Sequence, residues 1–521
     1  VVNRVRGSLP WLGAVASGVL LGVAQPKLDL WPLAWVAWAP LLIAVRGQAP
    51  RDVARLAFAA HFIAFAIMLY WIEVVVRTFG GLPFPVTAIP LVLLAAYCAL
   101  FYALAFWGAR KVELSRPGLS MLWLLPFFVT AFEWVRGKLF TGFPWGHPGY
   151  SQYDVKYAVQ VADAVGIDGI LFWLMFVSVG AVAAVDLARR RKGALALVAA
   201  AVLVSAAGVG YSAWRLGDVN ARLAAEAPVV KLGLAQGNID QSLKWDEAFR
   251  VETLAIYETL TKAADGQGAD LVLWPETAAP FLFDPQYDET DSKRVVALAK
   301  GMRGYLFFGA PAIGRREGRL RSFNRAYLLN RNGEPMSIYD KSHLVPFSEY
   351  IPLPMLFGWV EKLVPIVGNF AMGERRRALA IPGVKFGPLI CYESIFPDEA
   401  REFVADGAQV LAIITNDAWF LKTSATFQHI SMAVLRAVEN RTPVVQAGNT
   451  GVTAIIAPNG TVQSSLPIFT RGVLVDSVKL VTIDSLFTRF GEWFAYLALL
   501  VTAITAVYAL QVRPGRPAGE K

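Results

Sequence analysis

The sequence predicts a chain of two fold classes: a bundle of membrane-spanning helices and an α/β layered domain set between the last two of them. Three observations carry this. Apolar runs of about 17–23 residues, the length a bilayer demands, recur before residue 220 and once more near the end of the chain. Residues 221–489 instead alternate short strand-like apolar runs with amphipathic segments. Charged residues make up only 17% of the 521-residue chain, where a water-soluble chain carries about a quarter, and the mean hydropathy is +0.46.

Eight spans are expected: Leu9–Ala24, Leu30–Val45, Leu56–Val76, Ala88–Trp107, Leu119–Val135, Ile167–Leu187, Ala194–Trp214 and Trp493–Val512. The first two are short, and Pro40 interrupts the second; neighbouring helices in a membrane can satisfy the backbone groups that a proline frees. This divides the chain into a transmembrane part over residues 1–220, a layered domain over 221–489 and a closing helix with its tail over 490–521.

A net charge of +9 would suit a nucleic-acid partner, but the placement of the charge argues against one. Arg4 and Arg6, Arg46 to Arg55, Arg110 to Arg116, Arg189 to Lys192, and Arg513 to Lys521 lie beside apolar runs and mark every second loop. That alternation is the positive-inside pattern for a chain with both termini in the cytoplasm, and it places the layered domain on the outer face. In the outer loop, Gly142-Phe143-Pro144-Trp145-Gly146 reads as an interfacial aromatic anchor or as part of a lipid path. Glu73 and Arg77, and Glu133 and Arg136, close two spans; each pair faces either the bundle interior or the surface.

Within the layered domain, Val229–Ala235, Leu271–Trp274, Tyr305–Gly309, Phe323–Asn330, Pro335–Tyr339, Ala378–Ile381, Phe386–Cys391, Val410–Thr415, Val444–Ala447 and Thr453–Ala457 read as strands. Turns are expected at Asn332–Gly333, Pro382–Gly383 and Asn459–Gly460, and helices over Glu247–Ala264, Asp291–Arg303, Pro397–Asp406 and Thr426–Asn440.

Open α/β sheets carry their sites at the carboxyl ends of strands. Glu276 follows the run Leu271–Trp274, Lys341 follows Pro335–Tyr339, and Cys391 ends Phe386–Ile390. A thiol with an ordinary pKa of about 8.5 needs a base or a neighbouring cation before it attacks a carbonyl. A carboxylate can take its proton, and an ammonium can stabilise the oxyanion that forms. A histidine is not needed for this, though His343 remains a rival. Each residue also has a plainer reading: Cys391 as a core cysteine, Glu276 as a cap of the next segment, Lys341 as a solvated loop lysine. The chain has two cysteines; the other, Cys98, lies in an apolar run, so no disulfide is expected.

Three segments resemble the signatures of the nitrilase superfamily: Trp274-Pro275-Glu276, Tyr339-Asp340-Lys341-Ser342-His343-Leu344-Val345-Pro346-Phe347, and Ile390-Cys391-Tyr392-Glu393-Ser394-Ile395-Phe396-Pro397. With the flanking spans, the chain is similar to the bacterial apolipoprotein N-acyltransferases over essentially its whole length. The resemblance implies an αββα sandwich with Glu276 as general base, Lys341 as oxyanion-stabilising lysine and Cys391 as nucleophile. It implies supporting or substrate-binding places for Glu349, Tyr392, Glu393, Trp245 and Asn324, and lipid-gating loops around Leu353–Phe357.

It further implies a ping-pong reaction. The sn-1 acyl chain of a phospholipid, typically phosphatidylethanolamine, passes to Cys391 as a thioester and then to the N-terminal amine of a diacylglyceryl apolipoprotein. The setting would be the inner membrane of a bacterium, with a periplasmic catalytic domain, a monomeric enzyme and no cofactor. No metal is expected, since the four histidines (His61, His147, His343 and His429) show no ligand spacing. Moving acyl chains through water costs about 0.8 kcal/mol per CH₂, which favours a bilayer-anchored site. Two other classes remain open on sequence: a tethered amidase that sends the acyl group to water, and a transporter or lipid-binding protein with an inert outer domain.

Overall fold

The structure is a computed structural model that describes residues 2–116, 118–284, 290–353, 355, 369–374 and 377–511. Most of Leu353–Phe357 and the basic residues from Arg513 onward lie outside the described residues. The chain forms two compact units, Val1–Leu216 with Phe490–Lys521, and Gly217–Arg489.

The first unit is helical. Among the described residues, four helices are long and apolar enough to cross a membrane: Phe84–Ser115, Ala162–Ala188, Ala194–Ala224 and Trp493–Leu510. Pro50–Met68 and Trp71–Gly80, bent by 50°, make a fifth if counted as one span. The remaining expected spans are helical but short. Ser8–Val23 falls below the spanning length, and Met121–Arg136 has 16 residues. The second expected span breaks into a 3₁₀ turn at Trp31–Trp35 and a helix at Ala39–Ala44, each with a proline in its first turn. The expectation of about eight full spans is therefore met only in part. Gly166, at φ 66°, interrupts Ala162–Ala188 just before the expected start of that span.

Large apolar side chains such as Leu93, Leu195, Leu203 and Leu500 stay exposed on these helices, as a lipid-facing surface requires. The protein is thus membrane-associated. Both acidic residues that close the expected spans turn inward. Glu133 and Arg136 form a fully buried ion pair, and Arg136 also donates to the carbonyls of Phe143 and Trp145, fastening the aromatic loop. Glu73 is buried and accepts from Thr87 at 2.9 Å and Arg77 at 3.1 Å.

Among the described residues, the second unit contains two six-stranded sheets. The strands of the first are β1 (Val229–Gln236), β2 (Leu271–Leu273), β3 (Tyr305–Arg316), β4 (Arg319–Leu329) and β5 (Pro335–Asp340), closed by the last strand of the domain. The second holds β6 (Leu379–Ile381), β7 (Val384–Ile390), β8 (Val410–Thr415), β9 (Val444–Gly448), β10 (Thr453–Ile456) and β11 (Val462–Leu466). The closing strand, β12 (Gly472–Lys479), runs antiparallel to β1. From β12 to β5 and from β6 to β11, both sheets step through the same pattern: antiparallel, parallel, parallel, antiparallel, antiparallel.

Alternation along the strands sorts the side chains between layers. Leu271 and Leu273 face Phe386, Val410 and Ala412 of the other sheet, and Phe307 meets Phe386 edge-on at 5.3 Å. Val272, Trp274, Leu306 and Phe308 point the opposite way, into a core shared with Leu254, Tyr257, Val295 and Leu298. Those last four lie on the helices Glu247–Gly266 and Asp291–Lys300. Helices Pro397–Ala405 and Ala425–Asn440 belong to the second sheet's side, where Phe403 packs so closely over Gly387 that a side chain there would collide. The layers are helix, sheet, sheet, helix.

Candidate active site

Three strand exits converge. After β2, Pro275 removes a donor from the ladder, and Thr277 adopts a left-handed φ of 47° that turns the chain away from the sheet. Gly309 on β3 makes this turn possible: a Cβ there would stand 2.5 Å from the Thr277 nitrogen and 2.9 Å from the Glu276 Cα. Lys341 comes directly after β5, its amide donating to the Asn324 carbonyl at 2.9 Å. Cys391 follows β7 with a φ of 52° and opens the 3₁₀ turn Cys391–Ile395. A left-handed cysteine at a strand-to-helix turn is strained, and such strain concentrates at functional sites.

The charged groups form one buried cluster. Lys341 Nζ lies 2.9 Å from Glu349 Oε1 and 3.3 Å from Glu276 Oε1, with the lysine side chain 1% exposed. Asn324 Nδ2 donates to the same two oxygens, at 2.7 Å to Glu276 and 2.9 Å to Glu349. The other Glu276 oxygen accepts from the Asn416 amide at 3.1 Å, and the other Glu349 oxygen from the Val345 amide at 2.8 Å. Burial alone would neutralise Glu276, yet Lys341, Asn324 and Lys244 outweigh it and hold its carboxyl below the usual range. Burial likewise opposes the Lys341 charge, but Glu349 and Glu276 raise its pKa above the ordinary lysine value.

The Cys391 thiol goes the other way. Burial pushes it well above its usual range; the facing Glu276 and Asp417 carboxylates add to the rise, and Lys341 and a bond from Thr415 oppose it. At neutral pH the site therefore pairs an ionised carboxylate with a neutral thiol.

Glu393 ties the Cys391 turn to the Lys341 loop. One carboxylate oxygen accepts from the Ile390 amide at 2.7 Å. The other accepts from Tyr339 Oη at 2.8 Å, the Ser342 amide at 2.6 Å, Ser342 Oγ at 2.9 Å and the His343 amide at 3.2 Å. Burial and the neighbouring Glu399 carboxylate push its pKa up to about 7 against those donors. His343 is occupied elsewhere, bonded to Glu399 at 2.6 Å and stacked on Phe396 at 3.8 Å.

Two expected residues stand apart from the cluster. The Tyr392 ring packs against Phe396 and His343. Trp245 is 51% exposed and lines a cavity of about 900 Å³ with Phe281, Leu282, Ile313 and Tyr327. None of Glu276, Lys341 and Cys391 lines that cavity.

Several residues of the site were not anticipated. Lys244 is buried and donates to the Glu276 carbonyl at 3.1 Å and Thr277 Oγ1 at 2.7 Å. Asn416 Nδ2 donates to Gln241 at 2.7 Å, and its Oδ1 accepts from Asn449 at 3.0 Å. Near Cys391, Asp417 accepts from Thr415 at 2.7 Å and pairs with His429 at 3.0 Å. His429 in turn lies 2.7 Å from Ser394 Oγ and 3.3 Å from the Cys391 carbonyl. Asn416 and Asp417 follow β8, so the strand-exit rule that selected the other three positions would have found them. Lys244 had no such signal, because a lysine in a polar loop reads as solvated. Among the described residues, no group of three or more His, Cys, Asp or Glu is placed to hold a metal ion.

Comparison with known proteins gives two family matches. Residues 17–180 match the model described as the apolipoprotein N-acyltransferase N-terminal domain, and residues 231–486 match carbon-nitrogen hydrolase. An apolipoprotein N-acyltransferase from Geobacter metallireducens is 39% identical over 96% of this chain and 95% of its own. Proteins of the same name from Brucella suis, 32% identical over 96% of this chain and 95% of theirs, and Haemophilus ducreyi, 31% identical over 92% of each, are also similar.

Proposed function

This chain belongs to the apolipoprotein N-acyltransferase family, and from that premise we propose a two-step acyl transfer through Cys391. In the first step the Glu276 carboxylate takes the Cys391 proton as the sulfur attacks the sn-1 ester carbonyl of a phospholipid, with phosphatidylethanolamine as the donor. The Lys341 ammonium stabilises the oxyanion. Collapse breaks the carbon–oxygen ester bond, Glu276 returns the proton to the departing glycerol oxygen, and a thioester and a lysophospholipid result. In the second step the N-terminal amine of a diacylglyceryl apolipoprotein attacks the thioester. Glu276 accepts the amine proton, the carbon–sulfur bond breaks, and the thiolate regains that proton.

The observation that carries this reading is the shared hydrogen-bond and ion-pair cluster of Glu276, Lys341 and Glu349, with Cys391 close enough for both Glu276 and Lys341 to shift its thiol. An ionised carboxylate facing a neutral thiol suits general-base activation during attack, because the proton moves only as the carbon–sulfur bond forms. Glu349 and Asn324 serve as supports that share the lysine and orient the base. The long apolar helices and the alternation of basic loops along the sequence support a multi-pass topology with a periplasmic catalytic domain.

The test is direct. Full-length protein incubated with phosphatidylethanolamine should carry an acyl adduct on Cys391 by mass spectrometry, and a diacylated lipopeptide should discharge it with formation of N-acylated peptide. Release of free fatty acid without N-acylated peptide would favour a hydrolase. Absence of any adduct on Cys391 would defeat the mechanism.

A further inference from the structure

Lys244 is a buried charge for which the two-step mechanism above has no use. It sits in the loop between β1 and the helix Glu247–Gly266 and is 3% exposed. Unlike Lys341, it has no carboxylate in hydrogen-bond contact among the described residues. Its Nζ donates to a backbone carbonyl and a hydroxyl, those of Glu276 and Thr277. A buried ammonium held by neutral oxygens loses hydration that such partners only partly replace. Burial accordingly lowers its pKa to about 7, against the opposing pull of Glu276 and Cys391. Fold stability gives little reason to keep a lysine here, since an apolar residue of similar volume would remove that cost.

What the ammonium holds is informative. Thr277 is β-branched and lies at φ 47°, a conformation such residues avoid. The turn at Glu276–Thr277 therefore depends on contacts outside itself. On its other side, the loop carrying Lys244 is fixed to the nucleophile's sheet. The Ile239 amide and carbonyl bond to the Asn449 side chain, both within 2.9 Å, and Gln241 accepts from Asn416. Asn416 in turn donates its amide to the Glu276 carboxylate. The loop thus spans from the ends of β8 and β9 to the exit of β2.

We propose that Lys244 is a positioning residue of the acyl-transfer site: gripping the Glu276 carbonyl and the Thr277 hydroxyl, it fixes the strained turn that aims the Glu276 carboxylate at the thiol. This rests on the reading of Glu276 as the base. Lys244 acts on the main chain of Glu276, whereas Lys341 and Asn324 act on its carboxylate, so the two sets constrain opposite ends of one side chain.

The experiment uses full-length protein in detergent micelles and compares the parent with Lys244→Met and Thr277→Val. Single-turnover formation of the Cys391 acyl adduct from phosphatidylethanolamine is followed by mass spectrometry, alongside the thermal midpoint and alkylation of Cys391 by iodoacetamide. Lys244→Met should slow adduct formation about 100-fold, the cost of a misplaced catalytic group, and Thr277→Val, which loses one of the two contacts, about tenfold. Thr277→Val, which keeps both lysines, should move the pH profile of alkylation to lower pH as the Glu276 charge draws back from the thiol. Both variants should leave the KM for phospholipid within about twofold, as expected when an interaction serving the transition state is lost. The midpoint of Lys244→Met should stay within a few degrees of the parent's, because relief of the buried charge offsets the two acceptors left without their donor. A parent that forms the adduct beside a Lys244→Met protein within about threefold of its rate overturns the positioning role and leaves the base assignment standing. A slow rate explained wholly by a raised KM also overturns it. If Lys244→Met does not fold, the stability argument fails with it, and a Thr277→Val rate equal to the parent's removes what remains. A parent without an adduct brings down both readings.

Discussion

Glu393 offers the most quantitative test of how the nucleophile turn and the lysine loop hold each other. Its carboxylate satisfies five donors: the amides of Ile390, Ser342 and His343 and the hydroxyls of Ser342 and Tyr339. In Glu393→Ala the two hydroxyls can turn to each other, since they already lie 3.3 Å apart, but the three amides lose their acceptor. At about 1–3 kcal/mol for each buried donor left unpaired, the loss is about 3–9 kcal/mol, with the lower end applying if water enters the vacated space. That is comparable with the whole stability of a typical domain, about 5–15 kcal/mol. Glu393→Gln keeps one oxygen for the four-donor side and turns an amide nitrogen toward the Ile390 amide, so it should cost only about 1–3 kcal/mol.

Near-UV circular dichroism of the full-length protein in detergent reads the difference. At about 2–4 °C per kcal/mol for a unit of this size, the glutamine variant should melt a few degrees below the parent, while the alanine variant should be largely unfolded or melt far lower. Thioester formation by the glutamine variant should fall as well, because the lost bond is the one at the end of β7, next to Cys391. An alanine variant with the parent's midpoint and the parent's rate of thioester formation would refute the claim that this carboxylate joins the two loops.

Two other perturbations test the base. Gly309→Ala places a methyl group 2.5 Å from the Thr277 nitrogen and 3.0 Å from the Pro275 carbonyl oxygen, both backbone atoms, so the turn carrying Glu276 must shift. Thioester formation should drop about 100-fold with a stability loss of about 1–3 kcal/mol, and unchanged kinetics would show that the turn has slack. Glu276→Gln removes a negative charge that helps to raise the Cys391 thiol. With that charge gone the thiolate is less disfavoured, so the pH profile of iodoacetamide alkylation at Cys391 should move to lower pH, while thioester formation falls about 100-fold or more. An alkylation profile shifted to higher pH would mean that Glu276 does not face the thiol.

The fold was legible where pattern and burial coincide. The runs around Glu276 and Cys391 are short, apolar and bounded by proline or by charge, and they form strands buried on both faces, β2 and β7. Legibility failed where strands leave the core. β3 and β4 continue to a turn at Glu317–Gly318, well past the expected ends at Gly309 and Phe323, because their outer halves carry arginines and leave Ile313 and Leu320 exposed. β11 escaped for the same reason: Val462–Leu466 is mostly polar and has no fully buried residue. The short helices of the first unit misled in the opposite sense, since apolar composition was read as length while Pro32 and Pro40 cut the second stretch into pieces. In the site, residues at strand exits could be selected in advance. Those that reach it from loops distant in sequence, such as Lys244, or from the helix interior, such as His429, could not.

The charges of the site explain why one lysine needs two carboxylates. If Lys341 faced Glu276 alone, the pair would tend to a closed ion pair, and the carboxylate would lose the basicity needed to take a proton. Glu349 draws the ammonium the other way, at 2.9 Å against 3.3 Å, and Asn324 bridges both acids. Lys341 thereby stays charged without being owned by Glu276, the state that oxyanion stabilisation in the proposed mechanism would require. The same sharing prevents Lys341 from carrying protons, since its ammonium is stabilised from two sides. In the proposed mechanism proton traffic then falls to Glu276, a carboxylate that both contacts the lysine and shifts the thiol. A fixed cation and a mobile proton on separate residues allow one cluster to serve both attack by sulfur and attack by an amine.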